Sequence, residues 1–168
     1  ELNQKFAEFI VKLHEIIYDE DEEQSSYFDW GLCAYAAFIM KYKDNINYDE
    51  AAELWCESFP IFKENQICDY CYAFLVQLLK ERNSSAFSNE NDRFSEIIQN
   101  LVRCIADEMM MHQTTRDEAK NVLKKIICDP IFGERAMLSI SDSKEKFHFA
   151  AELWELGSSM LEEEDFDD

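Results

Sequence analysis

Glycine and proline are scarce in this chain, at 3 and 2 residues among 168. Sheet-rich folds depend on both for their tight turns, so the scarcity points to long helices with few breaks. No glycine-rich run exists to cradle a phosphate, which disfavours Rossmann and P-loop chemistry. No apolar run is long enough to span a bilayer, and no signal peptide is recognisable. Basic residues are few as well: 16 Lys and Arg stand against 36 Asp and Glu, a formal net charge of -20. Phosphate backbones and bare anionic membranes are poor partners for such a surface, so neither nucleic acid nor membrane is expected. Basic proteins are the favoured partners, although acidity also serves plain solubility.

What is present is a core. Hydrophobic residues make up 47% of the chain, too many for a disordered acidic tail. The cysteines Cys33, Cys56, Cys68, Cys71, Cys104 and Cys128 mostly sit among apolar residues at helical spacing. They read as reduced core thiols of an intracellular protein. The chain starts at Glu1, which suggests a segment of a longer protein.

Periodicity predicts a run of helices. Leu2 to Tyr18 carries one apolar stripe and gives way to the acidic run Asp19 to Glu23. A helix from about Tyr27 to Tyr42 is apolar around most of its circumference, as is one from about Asn65 to Arg82. Between them Asn47 caps a short helix that Pro60 ends. Asn83 to Asn89 reads as a loop, followed by a single-stripe helix to Met109. Thr114 or Thr115 is the expected cap of the next helix, which Pro130 stops. Ile131 to Ile140 is expected to be an irregular connection, and a last helix should run from Ser143 to Leu161. Residues 1–161 then form the folded segment, and 162–168 an acidic, disordered tail. Short turns favour antiparallel neighbours, and each helix pair spans about 40 residues, a period expected of HEAT-type repeats. The expected fold is therefore an all-α, α-α superhelix of antiparallel pairs, with a closed bundle as its competitor.

Candidate sites are few. Asp49, Glu53 and Glu57 recur at four-residue spacing, with Glu50 beside them, so one helix face carries four carboxylates. Their mutual repulsion is relieved by a basic ligand, which makes this face the candidate binding site for one; the bland alternative is a solvated face. Cys68-x-x-Cys71 lacks both a thioredoxin-like context and two further zinc ligands, and reads as two small core residues. His14, His112 and His148 are isolated, with no nucleophile near in sequence. Trp30, Trp55 and Trp154 lie on apolar faces and read as core, and Met109 to Met111 as a helix end. No catalytic, metal or cofactor residue emerges, and no enzyme is expected.

From Phe28 to Leu79 the sequence has a recognisable character. An Ile39-Met40-Lys41-Tyr42 helix end is followed by a polar turn, then Leu54-Trp55, Phe59-Pro60, and Tyr70 to Phe74 before Leu78-Leu79. This order resembles the last HEAT repeats of importin-beta-family nuclear transport receptors, of the importin-beta-3 type. Phe94 to Leu123 matches in spacing and polarity alone, and little after Pro130 is specific. The resemblance implies a right-handed superhelix carrying ribosomal or histone-type basic cargo, with import governed by the GTPase Ran. It implies a monomer shuttling between cytoplasm and nucleus through nucleoporins. Contacts with Ran and nucleoporins would come through the full-length receptor, since this segment would be carboxy-terminal. The alternative is a HEAT-repeat scaffold subunit of another intracellular complex.

Overall fold

The computed structural model describes residues 12, 25–57, 69–88, 92–106 and 112–164. Every regular element among them is helical: α1 (Ser25–Tyr42), α2 (Tyr48–Glu57), α3 (Asp69–Lys80), α4 (Arg93–Ala106), α5 (Gln113–Ile127), α6 (Gly133–Ile140) and α7 (His148–Glu164). A 3-10 turn, Lys43–Asn45, follows α1. The chain is all-α. The expected helix Leu2 to Tyr18, the acidic run Asp19 to Glu23, His14, Pro60, Cys68 and Met109 to Met111 lie outside the described residues, as do the side chain of Trp30 and residues 165–168.

Three expectations are corrected. Ile131 to Ile140 is not irregular: α6 occupies its last eight residues. Asp129 starts that turn, its Oδ1 accepting the N–H groups of Ile131 at 2.9 Å and Phe132 at 3.2 Å. Neither Thr114 nor Thr115 caps α5, which begins at Gln113; Thr115 is buried within the helix. The last helix begins at His148 rather than Ser143 and runs through Glu164, past the expected boundary at Leu161.

The helices pack chiefly on their second neighbours in sequence. α1 lies on α3, α3 on α5 and α5 on α7, while α4 lies on α6. Cross-links between elements give the directions. Cys71 Sγ meets Cys33 Sγ, and Lys43 meets Glu81, both at a separation of 38 residues. Two contacts at one constant offset mean that α1 and α3 run the same way, roughly in register. Asp69 at the start of α3 accepts from Thr115 Oγ1 at 3.0 Å, and Arg82 just past its end pairs with Asp129 beyond α5. α5 therefore parallels α3. The fit to two plain rows is incomplete. α2 packs mainly on α1, its contact with α4 is not among the substantial ones, and α7 also packs on α4.

α3 sits at the centre. Cys71, Tyr72, Phe74, Leu75 and Leu78 are fully buried, on more than one side of the helix, which is why its sequence is apolar nearly all round. Phe74 receives Trp55 edge-on, with ring centroids 4.9 Å apart. Trp55 is wholly buried, and its indole N–H donates to the Leu32 carbonyl at 3.1 Å. Burying an aromatic of this size stabilises by about 3 kcal/mol, and the hydrogen bond spares its polar end a desolvation penalty. Trp55 is core, as its spacing suggests.

Helix α3 ends in a Schellman motif. Arg82 takes the left-handed conformation, φ 53. The N–H of Asn83 donates to the Leu78 carbonyl and that of Arg82 to the Leu79 carbonyl. Glycine is the usual residue there.

Candidate functional site

Helix α2 has two clean sides. Ala51, Ala52, Trp55 and Cys56 are buried against the core, and Asp49, Glu50, Glu53 and Glu57 are all exposed. The four carboxylates singled out by spacing thus share the outward face. They differ in their commitments. Asp49 Oδ1 accepts from Asn83 Nδ2 at 3.2 Å, tying α2 to the loop after α3. Glu50 Oε2 accepts from Asn47 Nδ2 at 2.8 Å, a local link at the helix start. Glu53 and Glu57 make no hydrogen bond among the described residues, and no Lys or Arg among those residues ion-pairs with any of the four.

The macrodipole separates them further. Asp49 and Glu50 in the first turn are stabilised by it, whereas Glu57 stands at the unfavourable negative end. Glu53 and Glu57 consequently gain most from an added positive charge. Their field reaches inward as well: burial foremost, then both carboxylates, push the Cys56 thiol up to about 12, against an opposing pull from Arg93.

At the edge of this face lies a polar junction that spacing did not reveal. Glu81 accepts from Lys43 Nζ at 2.6 Å, Tyr48 OH at 2.8 Å and Gln77 Nε2 at 3.1 Å. Partial burial alone would raise the Glu81 pKa, but these donors hold it below the ordinary carboxylate range. The Tyr48 hydroxyl is pushed up, by burial first and then by Glu81. The junction fixes the start of α2 on the end of α3, and with it the base of the acidic face. Its Tyr48 and Lys43 donors stand 33 and 38 residues from Glu81, so local spacing does not reveal that they meet.

A cleft of about 380 Å³ opens between α3 and α5. Its apolar wall includes Leu79, Phe87, Val122 and Phe132, and Lys80, Arg82, Glu118 and Asp129 stand at its rim. Lys80 pairs with Glu118 at 2.6 Å and Arg82 with Asp129, so these charges are mutually neutralised. Burial works against ionisation of Asp129, but the N–H groups of Ile131 and Phe132, then Arg82, keep its carboxyl below its usual range. Among the described residues no Ser, Thr, Cys or His lines the cleft.

The other candidates separate. Cys71 is fully buried, as a core residue should be, and its described neighbour is Cys33. His112 and His148 are surface residues, facing Asp69 at 3.9 Å and Glu152 at 2.9 Å. Trp154 is partly buried, packed against the core as its spacing suggests, and Lys144 Nζ lies 3.5 Å from its ring centroid. An in-chain lysine thus forms a cation–π contact there. Among the described residues no group of three or more His, Cys, Asp and Glu side chains is placed to hold a metal, and no helix is long and apolar enough to cross a membrane.

Comparisons with known proteins match no family model, no curated protein and no solved structure.

Proposed function

We propose that this chain is a helical-repeat segment of an importin-beta-like nuclear transport receptor, and that α2 offers its exposed carboxylates to basic protein cargo. The observation that carries the reading is the outward face of Asp49, Glu50, Glu53 and Glu57, which no described lysine or arginine neutralises. Two features support the repeat. Residues 28–79 resemble the family's last repeats, and helices two apart stack in parallel at offsets near the HEAT period, 38 residues for α1 on α3 and 46 at the start of α3 on α5. In this reading α1, α3, α5 and α7 form one row of a HEAT solenoid. Helix α2 belongs to the opposite row, on the side where cargo lies, and Ran and nucleoporins engage other parts of the full receptor.

Fluorescence anisotropy with a labelled Lys/Arg-rich peptide of histone-tail type provides the test. Binding is expected at low ionic strength and should weaken as salt screens the face. The double variant Glu53→Lys, Glu57→Lys should weaken it at least tenfold, on the scale of ion pairs worth about 1 kcal/mol each and two reversed charges. An acidic peptide of equal length should not bind. Absence of binding even at low salt would sink the cargo reading and leave a scaffold role within another complex.

A further inference from the structure

The sulfurs of Cys33 on α1 and Cys71 on α3 lie 3.4 Å apart in the core. We propose that this pair is an oxidation site, at which hydrogen peroxide converts two thiols into a disulfide that clamps α1 to α3. The step from 3.4 Å to a disulfide bond of about 2.05 Å is roughly 1.4 Å, within reach of small side-chain rotations. The two helices already pack directly, so no element has to travel.

The chemistry has a natural order. Cys71 S–H donates to Cys33 Sγ, so the two sulfurs face each other directly. Cys33 is the more accessible of the two, at 5% exposure against 0% for Cys71. The Cys33 sulfur attacks the peroxide O–O bond, giving a sulfenic acid and one water. The Cys71 sulfur then displaces the hydroxyl from Cys33, forming the S–S bond and a second water. Two thiols lose two electrons and two protons, and the peroxide takes up both. The other buried thiols are held differently. Cys56 stays protonated, pushed up to about 12 mainly by burial, and Cys104 shares a hydrogen bond with the Tyr72 hydroxyl.

The cross-link would close a loop that contains all of α2, so it would stiffen the stack on which the acidic face is mounted. The proposal does not depend on what that face binds.

The test treats the folded full chain with hydrogen peroxide, blocks residual thiols with N-ethylmaleimide, digests without reduction and maps linked peptides by mass spectrometry. The expected product joins the Cys33 and Cys71 peptides and is about 2 Da lighter than their sum. The thermal midpoint should rise by about 5 °C or more and return on adding dithiothreitol. Cys33→Ser and Cys33→Ala should each lose both the link and the shift, whereas Cys128→Ser should keep them. Circular dichroism establishes that each variant has native helicity, and two replacements at Cys33 guard against a misfolded one. Linkage through other cysteines, sulfinic acid at Cys33 without linkage, or a link that leaves the midpoint unmoved would each overturn the proposal.

Discussion

Single positions carry constraints that their residue types do not announce. Gly133 and Gly157 are both buried in or beside helices, yet a methyl group would meet different neighbours. At Gly133 an added Cβ would stand 2.4 Å from the Ile127 carbonyl oxygen, which belongs to backbone and cannot yield. At Gly157 it would stand 2.3 Å from Met137 Sδ, a flexible thioether, with Ile127 Cγ2 at 2.9 Å. Gly133→Ala should therefore cost about 2–3 kcal/mol of unfolding free energy through overpacking. Gly157→Ala should cost less than 1 kcal/mol, because helix propensity returns about as much as the repacking takes. Urea titrations of the two variants check the ranking. Arg82 is the mirror case, a non-glycine residue where glycine would be at ease. Its retention is explained by the guanidinium, which reaches the buried carboxylate of Asp129. Both Arg82→Gly and Arg82→Ala lose that pair, but Arg82→Gly also relieves the left-handed backbone. The glycine variant should be about 1 kcal/mol the more stable of the two. Equal stabilities would refute a strain at this position.

At the scale of elements, helices were legible and their edges less so. The broadly apolar character of α1 and α3 and the two-sided character of α2 were visible in periodicity, because period 3.6 reports which faces are covered. The acidic face was legible for the same reason: four charges placed opposite Ala51, Ala52, Trp55 and Cys56 have nowhere to point but outward. What was missed depends on partners distant in sequence. Thr115 resembles an N-cap, but Asp69, 46 residues earlier, claims its hydroxyl. The segment after Pro130 looked irregular because α6 is only 8 residues long and opens on Phe132-Gly133. Its start is set by the Asp129 turn and by Arg135, which donates to the Ser88 carbonyl at 3.2 Å and lies over the Phe94 ring. Trp154 packs against the core as its apolar stripe indicates, but nothing local shows that Lys144 folds back across it. The Glu81 junction draws Lys43 and Tyr48 from 38 and 33 residues away, and only its Gln77 link is local.

For the whole molecule, the strained charges and buried protons set a pH response. Cys56 rises from 9.0 to about 12, mainly through burial, and the pKa values of Tyr48 and Tyr72 are raised as well, again with burial first. A raised folded pKa means the folded state holds its proton more tightly than the unfolded chain. The resulting stability is fully present below the unfolded pKa and is lost as pH rises through the folded one. The chain should therefore lose stability progressively from about pH 9 upward, seen as a falling urea midpoint. Cys56→Ala should flatten the part of that fall between pH 9.0 and about 12. A midpoint independent of pH over that range would contradict the burial of these groups. The depressed carboxyls of Glu81 and Asp129 act at the other end, their contribution being lost as pH falls below the ordinary carboxylate range.

The position of α3 bears on how the chain must be made. A helix covered from several sides keeps only a narrow face for water, along Tyr70, Ala73, Gln77 and Lys80, and Tyr-Ala-Phe-Leu-Val from Tyr72 to Val76 is a run of high β-propensity without charge. While a ribosome is extending the chain, α1 and α2 can cover part of this segment, but α5 has not yet been synthesised. For that interval the strip is exposed and prone to self-association, and a chain cut short after Asn89 would stay in that condition permanently. Chaperone demand and aggregation should thus peak for nascent chains of intermediate length and fade once Ile127 has cleared the exit tunnel.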